Sequence, residues 1–169
     1  MDAEKFTKKS LEVIESCEKL AYEYNNQELT QAHLMYALVT VEDSLIAKLL
    51  TNMGINMDAF TGECEKLVAN RPKVSGGQLF TSPEFSKALI QAEKEAKQMG
   101  DDYISVEHIF LGLLEKADKD IKRVINAYGI TRGKFLEVLA NIRGNRKVES
   151  DNPEDTYDAL NKYGYNLVE

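Results

Sequence analysis

Residues 30–38 of this chain read TQAHLMYAL, and residues 105–113 read SVEHIFLGL. Each stretch opens with a hydroxyl residue that can cap a helix, has a histidine three positions later, and continues with apolar residues at helical spacing. The two histidines, His33 and His108, are 75 positions apart. Two helices of the same design at this offset indicate an internal repeat, which has to be recognised before a fold is assigned.

The repeat extends in both directions without a gap. The turn Met53-Gly54-Ile55-Asn56 aligns with Tyr128-Gly129-Ile130-Thr131 at the same offset. Identical residues also align at Glu18, Lys19, Ala21, Leu38, Asp43, Ile46, Phe60, Asn70 and Arg71. No segment sustains the period-two alternation of a strand, so the pattern predicts an all-α fold.

Eight helices are predicted, four in each repeat. Their bounds are 4–24, 30–41, 43–53 and 57–69 in the first repeat, and 83–99, 105–116, 118–128 and 132–143 in the second. The N-cap candidates are Thr30, Asn56, Ser82, Ser105 and Thr131. Four helices of this size cannot easily cover their own apolar stripes, so the two repeats are expected to pack as pseudo-twofold halves of one domain.

The predicted organisation places the first repeat at 1–71, a connector at 72–81, the second repeat at 82–144 and a linker at 145–169. Two adjacent glycines within 74–78 indicate that the connector is flexible. The last segment carries six acidic and three basic residues and contains Ser150-Asp151-Asn152-Pro153, a turn signal. It is interpreted as a linker toward a following domain, with residues 157–164 apolar enough to dock on a partner surface.

The composition of the 169 residues argues against several functions. With 43% hydrophobic and 29% charged residues, the chain has the make-up of an ordinary globular protein. A net charge of −7 disfavours binding to nucleic acid or to an anionic membrane, and no run approaches the ~20 apolar residues of a membrane span. The start, MDAEKFTKKS, lacks the apolar core of a secretory signal. Cys17 and Cys64 align with apolar residues of the other repeat and fit no disulfide framework, so buried free thiols and a cytoplasmic monomer are expected.

Motifs of catalysis and metal binding are absent from the sequence. There is no G-x-x-x-x-G-K-[ST] loop for nucleotide phosphates and no strained nucleophile of the G-x-S-x-G kind. His33 and His108 have neither companion cysteines nor HExxH spacing, so they are interpreted as packed or capping residues and not as metal ligands. The chain is therefore predicted to be no enzyme and to need no cofactor; a stand-alone enzyme is the weakest alternative.

In its residues the chain resembles the double Clp N-terminal repeat of the Clp/Hsp100 family of AAA+ unfoldases. The resemblance rests on the opening Phe6-Thr7-Lys8-Lys9-Ser10, the two cap-plus-histidine helices, the two Gly-Ile turns and Arg143-Gly144-Asn145. Within the family, the tail ALNKYGYNL at 159–167 resembles the segment that enters the first ATPase domain of the disaggregases.

This resemblance implies an all-α substrate-handling domain tethered flexibly to a hexameric AAA+ ring that threads aggregated polypeptides through its pore. The implied partners are unfolded or aggregated polypeptides, the ring of the same chain and, through other domains, a DnaK-type chaperone system. ATPase activity is expected downstream of Glu169. The rival within the family is an adaptor-docking domain of a ClpC- or ClpA-type unfoldase that serves a protease. A downstream coiled-coil insertion or protease-docking loop would separate the two.

Three residues are candidates for substrate binding by this resemblance, namely Thr7, Asp101 and Glu107. Thr7 can also cap the first helix. Asp101 and Glu107 flank the start of the second cap-plus-histidine helix, where their repeat partners Asn26 and Ala32 carry no charge. The three are expected to converge on a shallow acidic rim, and replacing either acid is expected to cost no more than ~1 kcal/mol of stability.

Ile90 and Tyr103 are candidates for the apolar lining of the site, because the aligned positions of the first repeat hold glutamates. An apolar residue where the other copy is charged indicates a surface position. Gln91, Glu95 and His108 stand where some disaggregases of the family have leucines, which predicts a weaker or shifted groove.

Overall fold

The computed structural model describes residues 3–144 and 146–154. Over these residues the chain contains eight α-helices, one 3₁₀ turn (Ala3–Lys5) and two short strands, β1 (Glu28–Leu29) and β2 (Phe80–Thr81). The helices are α1 (Lys8–Glu23), α2 (Gln31–Thr40), α3 (Leu45–Asn52), α4 (Met57–Ala69), α5 (Pro83–Gln98), α6 (Val106–Glu115), α7 (Lys119–Ala127) and α8 (Arg132–Arg143). The prediction of an all-α fold with eight helices is confirmed. The predicted docking segment at 157–164 lies outside the described residues.

Polar side chains fix where the helices begin. The hydroxyl of Thr7 accepts a hydrogen bond from the backbone N–H of Ser10 at 3.1 Å, so α1 begins at Lys8 and not at residue 4 as predicted. All five predicted N-cap residues stand at helix starts. Ser44 and Asp118, which were not predicted, cap α3 and α7. At six of these helix starts the cap side chain accepts from an N–H group that the first helical turn leaves without a partner.

The two repeats are joined by the same backbone hydrogen bond made twice. The N–H of Thr7 donates to the carbonyl of Ile104 at 3.0 Å, and the N–H of Ser82 donates to the carbonyl of Leu29 at 2.9 Å. Donors and acceptors are both offset by 75 positions, so each repeat begins its first helix on a turn of the other. The parallel pair β1–β2 and the bridge from Phe6 to Ile104 belong to these two contacts. The start of α1 therefore lies against the α5–α6 turn. The strands, of two residues each, are too short for a sequence period to reveal.

Both repeats share one hydrophobic core. Eight of the ten residues of α2, and eight of the ten of α6, are buried. Tyr128 of the second repeat packs edge-on against Phe60 of the first, with ring centroids 5.2 Å apart. The buried side chain of Gln31 donates to the carbonyls of Glu84 and Lys116 at 3.0 and 2.7 Å. The halves therefore meet over a common core, as predicted.

Helix α6 passes so close to α5 that only glycine fits at the crossing. An ideal Cβ on Gly112 would lie 2.3 Å from the carbonyl oxygen of Ala88 and 3.0 Å from the nitrogen of Ala92. Both atoms belong to the backbone of α5, which cannot move aside without disturbing the close-packed core. Gly112 therefore sets the distance between α5 and α6.

Replacing Gly112 by alanine is expected to lower the free energy of unfolding by about 1–3 kcal/mol, because the added methyl group forces two backbones apart. The matched control is Gly133→Ala in α8, where a Cβ would meet no atom within 4 Å. There alanine should stabilise the helix by up to ~1 kcal/mol. Urea unfolding followed by circular dichroism measures both changes. A Gly112→Ala protein as stable as the parent would contradict the close approach.

Candidate functional site

A buried histidine ties together the start of α2, and an equivalent histidine does the same for α6. Nδ1 of His33 accepts from the backbone N–H of Thr30 at 3.0 Å, and its Nε2 donates to Oδ1 of Asn26 at 2.8 Å. His108 makes the same two bonds, to the N–H of its own N-cap at 2.9 Å and to Oδ2 of Asp101 at 2.7 Å. Both rings are inaccessible to solvent. The prediction that these histidines are packed capping residues is confirmed.

The two copies of this arrangement differ in charge. In the first copy the partner is a neutral amide, and burial together with the nearby Arg71 lowers the pKa of His33 to about 4. In the second copy the partner is Asp101, which also forms an ion pair with Arg143. Burial alone would raise the pKa of Asp101, but hydrogen bonds from His108, Arg143 and a backbone N–H lower it to about 2. The buried ion pair is thus a feature of the second repeat.

Glu107 joins this group through Arg143. One guanidinium nitrogen of Arg143, Nη1, lies 3.6 Å from Oε2 of Glu107. The side chains of Asp101 and Glu107 are fully buried, and that of Arg143 is 4% exposed. We call Asp101, Glu107, His108 and Arg143 the Asp101 cluster. Two acids in it face one permanent cation, so its charge balance is sensitive to any further acid nearby.

The chain after α8 folds back across the Asp101 cluster. Val148 is fully buried, and its N–H donates to Oδ1 of Asp101 at 3.0 Å. The carbonyl of Val148 accepts from the N–H of Asp102 at 2.8 Å, and the carbonyl of Asp151 accepts from the N–H of Lys8 at 2.8 Å. We call residues 146–154 the strap. The sequence contained no sign that this part of the linker packs against the repeats.

Glu154, at the end of the strap, reaches the start of α1. The hydroxyl of Thr7 donates to Oε2 of Glu154 at 3.0 Å, and the N–H of Val106 donates to the same oxygen at 3.2 Å. Burial and the neighbouring Glu107 raise the pKa of Glu154 to about 7. Sequence reasoning missed Glu154, because an acid after a turn is usually solvated.

The structure brings Thr7, Asp101 and Glu107 together, but not at the surface. With backbone and side chain counted together, the three residues are 0%, 8% and 0% exposed, so the expectation of a shallow acidic rim is wrong. The acids can be buried because Arg143 and His108 supply hydrogen bonds and compensating charge. For the same reason, the expected limit of ~1 kcal/mol for replacing Asp101 is too low.

The two apolar candidates occupy different environments. Ile90 is 49% exposed on α5, as its predicted surface position requires. It lies one turn before Glu93, whose carboxylate pairs with Lys5 at 3.0 Å, so its face of α5 borders the segment that leads into α1. Tyr103 is half-buried, and its N–H donates to the carbonyl of Val148 at 3.3 Å. Tyr103 therefore lies beside the strap.

Two of the three polar residues that were expected to weaken the groove, Gln91 and Glu95, are hydrogen-bonded to each other, whereas the third, His108, belongs to the Asp101 cluster. Glu95 is buried and accepts from Arg132 at 2.6 Å and from Gln91 at 2.9 Å. Burial opposes ionisation of Glu95, but the hydrogen bonds from Arg132 and Gln91 prevail and lower its pKa. Gln91 and Glu95 on α5 and Arg132 on α8 thus form one hydrogen-bonded polar group, and Arg132 was not foreseen from the sequence.

Neither a metal site nor a membrane-spanning helix is present in residues 3–144 and 146–154. No group of three His, Cys, Asp or Glu side chains in these ranges could hold a metal ion. No helix within them is long and apolar enough to cross a membrane. Cys17 and Cys64 are buried free thiols, as predicted, and burial raises the pKa of both.

Comparison with known proteins places these features in context. Residues 5–128 match the family model of the Clp repeat (R) N-terminal domain. The chain is similar to the "Chaperone protein ClpB" of Clostridium tetani, 41% identical over 174 residues, and to that of Nitratidesulfovibrio vulgaris, 42% identical over 175 residues. Each alignment covers 100% of this chain and 20% of the relative, so the chain spans about a fifth of the relatives' length.

A solved structure with a similar fold is the Hsp104 N-terminal domain from Candida albicans. The TM-score is 0.77 at 21% sequence identity, and the match covers 87% of this chain and 97% of that one. At this identity the likeness concerns the fold.

Replacing Asp101 by alanine is expected to cost about 3–5 kcal/mol of unfolding free energy, because Arg143 would remain buried without its closest carboxylate. The matched change in the first repeat, Asn26→Ala, removes a neutral partner of His33 and is expected to cost about 1–3 kcal/mol. Denaturant unfolding of both variants measures the difference. Equal losses would contradict a special role for the ion pair.

The lowered pKa of Asp101 also predicts how stability depends on pH. Folding lowers this pKa from its ordinary value of 3.8 to about 2. The ionised form is therefore favoured by folding, and its contribution is full above pH ~4 and is lost as the pH falls toward 2. The parent is expected to lose about 2 kcal/mol more than Asp101→Asn over this range. Urea titrations at several pH values measure both slopes, and identical slopes would refute the assignment.

Proposed function

The chain belongs to the Clp repeat N-terminal domain family, and from that premise we propose that it is the client-binding domain of a ClpB-type, ATP-dependent disaggregase. The observation that carries this proposal is its alignment over the whole chain with ClpB chaperones at 41% and 42% identity. These relatives favour disaggregation over the alternative of adaptor docking for a protease. A Clp N-terminal domain is distinct from the catalytic ATPase domains, so the prediction that this chain is not itself an enzyme is confirmed.

Exposed apolar side chains near the start of α1 support binding of unfolded polypeptide. Leu11, one turn after the Thr7 cap, is 39% exposed, and Ile90 on α5 is 49% exposed. Unfolded segments expose the apolar side chains that folded proteins bury, and covering them gains roughly 25 cal/mol per Å². A surface this small favours weak binding, in the range of about micromolar to millimolar.

Weak binding suits a domain present in several copies. We propose that the ATPase ring of the same chain is hexameric and that six domains around it supply avidity toward one aggregate. We also propose that a DnaK-type chaperone system is a partner through other domains of the protein, and that the protein is cytoplasmic. Nucleic acid and membranes are not among the proposed partners, because the net charge of −7 repels both.

Replacing Ile90 by serine is expected to weaken binding of an unfolded polypeptide about fivefold or more, because apolar contact area is lost where the client would lie. The matched control is Tyr22→Ser, which removes a 66% exposed side chain of α1 that lies about 20 Å along the helix from Lys8. Both variants should keep the parent's stability within about 0.5 kcal/mol.

Amide chemical-shift titration with reduced, carboxymethylated lactalbumin measures the affinities. Equal affinity of parent and Ile90→Ser would move the client surface elsewhere. No detectable binding by the parent at millimolar concentration would overturn the proposed function.

A further inference from the structure

The strap is hydrogen-bonded to two of the three residues that the family resemblance implies for substrate binding, and its Glu154 faces the third. The N–H of Val148 is bonded to Asp101, and Glu154 accepts from Thr7. Glu107 lies close enough to Glu154 to raise the pKa of Glu154. The chain's own connector therefore covers the place at which these residues meet.

Backbone hydrogen bonds hold the middle of the strap. The carbonyl of Val148 accepts from the N–H groups of Asp102 and Tyr103 at 2.8 and 3.3 Å, and the carbonyl of Asp151 accepts from the N–H of Lys8 at 2.8 Å. Bonds of this kind do not depend on side-chain identity. Another extended polypeptide could therefore make them in place of the strap.

The acidic end of the strap fits less well than its backbone. Oε1 of Glu154 and both side-chain oxygens of Glu107 are buried without a hydrogen-bond partner among the described residues. Burial of such atoms costs free energy. The charged groups that face Glu154 are Glu107 on α6 and, beyond it, Arg143 on α8, which Glu107 shares with Asp101.

This environment makes docking of the strap depend on pH near neutrality. Docking raises the pKa of Glu154 from 4.5 to about 7, because the carboxylate loses water and meets Glu107. A raised pKa means that the docked state prefers the protonated acid. Docking is therefore favoured at low pH and weakens as the pH rises toward 7.

We propose that the strap is a resident competitor of the client: residues 146–154 occupy the surface on which an extended client segment binds, and they must leave before it can bind there. This inference rests on the proposed function and concerns the regulation of the same site. It assigns Asp102, Tyr103 and Lys8 as backbone donors to the client. The chain spans about a fifth of the relatives' length, and movement of any part of the protein that follows this segment would pull directly on the strap.

Two variants of the full chain shift the strap in opposite directions. Val148→Asp places an acid in the buried position beside Asp101 and should release the strap. Glu154→Gln keeps an oxygen to accept from Thr7 and Val106 but removes the repulsion from Glu107, so it should tighten the strap. The matched control is Glu149→Gln, an exposed residue of the same strap.

The measurements are the affinity for reduced, carboxymethylated lactalbumin and the hydrogen-exchange rate of the Asp102 amide, which reports docking. At pH 8, Val148→Asp should bind at least fivefold more tightly than the parent, and Glu154→Gln at least fivefold more weakly. Glu149→Gln should match the parent. Parent affinity should rise between pH 6 and pH 8, and Glu154→Gln should lose most of this rise.

The outcomes separate the two proposals. Equal affinities for parent, Val148→Asp and Glu154→Gln would overturn the strap as competitor and leave the client-binding function intact. If the Asp102 amide of Val148→Asp stays protected from hydrogen exchange, the strap is not released by this change. That result would also overturn the strap as competitor. No binding by any variant, including one with a released strap, would overturn the proposed function itself.

Discussion

Each repeat depends on a buried imidazole that holds a helix start and the preceding turn together. The ring accepts from the N–H of the cap and donates to a side-chain oxygen of the turn, in both copies. Neither group can reach water there, so without the ring both would be buried unpaired. The turn fixed in this way carries the carbonyl of Leu29 or Ile104, on which the other repeat begins its first helix. The joining of the halves therefore depends on the two histidines.

The two copies differ in the charge of their buried residues. Asn26 and Val68 of the first repeat align with Asp101 and Arg143 of the second, so a neutral pair of positions corresponds to an ion pair. Such a change keeps the buried acid compensated and preserves the fold. Glu107, which aligns with an alanine of the first repeat, is a second acid beside the same cation, Arg143. The second repeat thus has an electrostatic asymmetry that the first lacks, and the strap lies across that repeat.

If the strap competes with the client as proposed, its position links client binding to the connectivity of the chain. A segment that leaves α8 passes over the Asp101 cluster and returns to the start of α1 before it continues. Under the proposed competition, a client that displaces the strap changes the freedom of the following chain, and a force on that chain changes access to the site. Coupling of this kind needs only two mutually exclusive occupants of one surface, because each then lowers the apparent affinity of the other.

The sequence by itself determined the repeat, the eight helices and most of their caps. These features are local, since hydroxyl caps, helical periodicity and glycine turns act within a few residues. It also predicted that Thr7, Asp101 and Glu107 converge, through the family resemblance and the expected packing of one repeat on the other. What only the tertiary structure decided is the environment of these residues. Arg143 and Glu154 reach Asp101 and Thr7 from distant parts of the chain. Because of these contacts, residues that were expected on an exposed rim form a buried, charge-compensated cluster. The burial of these side chains and their ion pairs depend on packing between distant parts of the chain, so a local sequence pattern does not predict them.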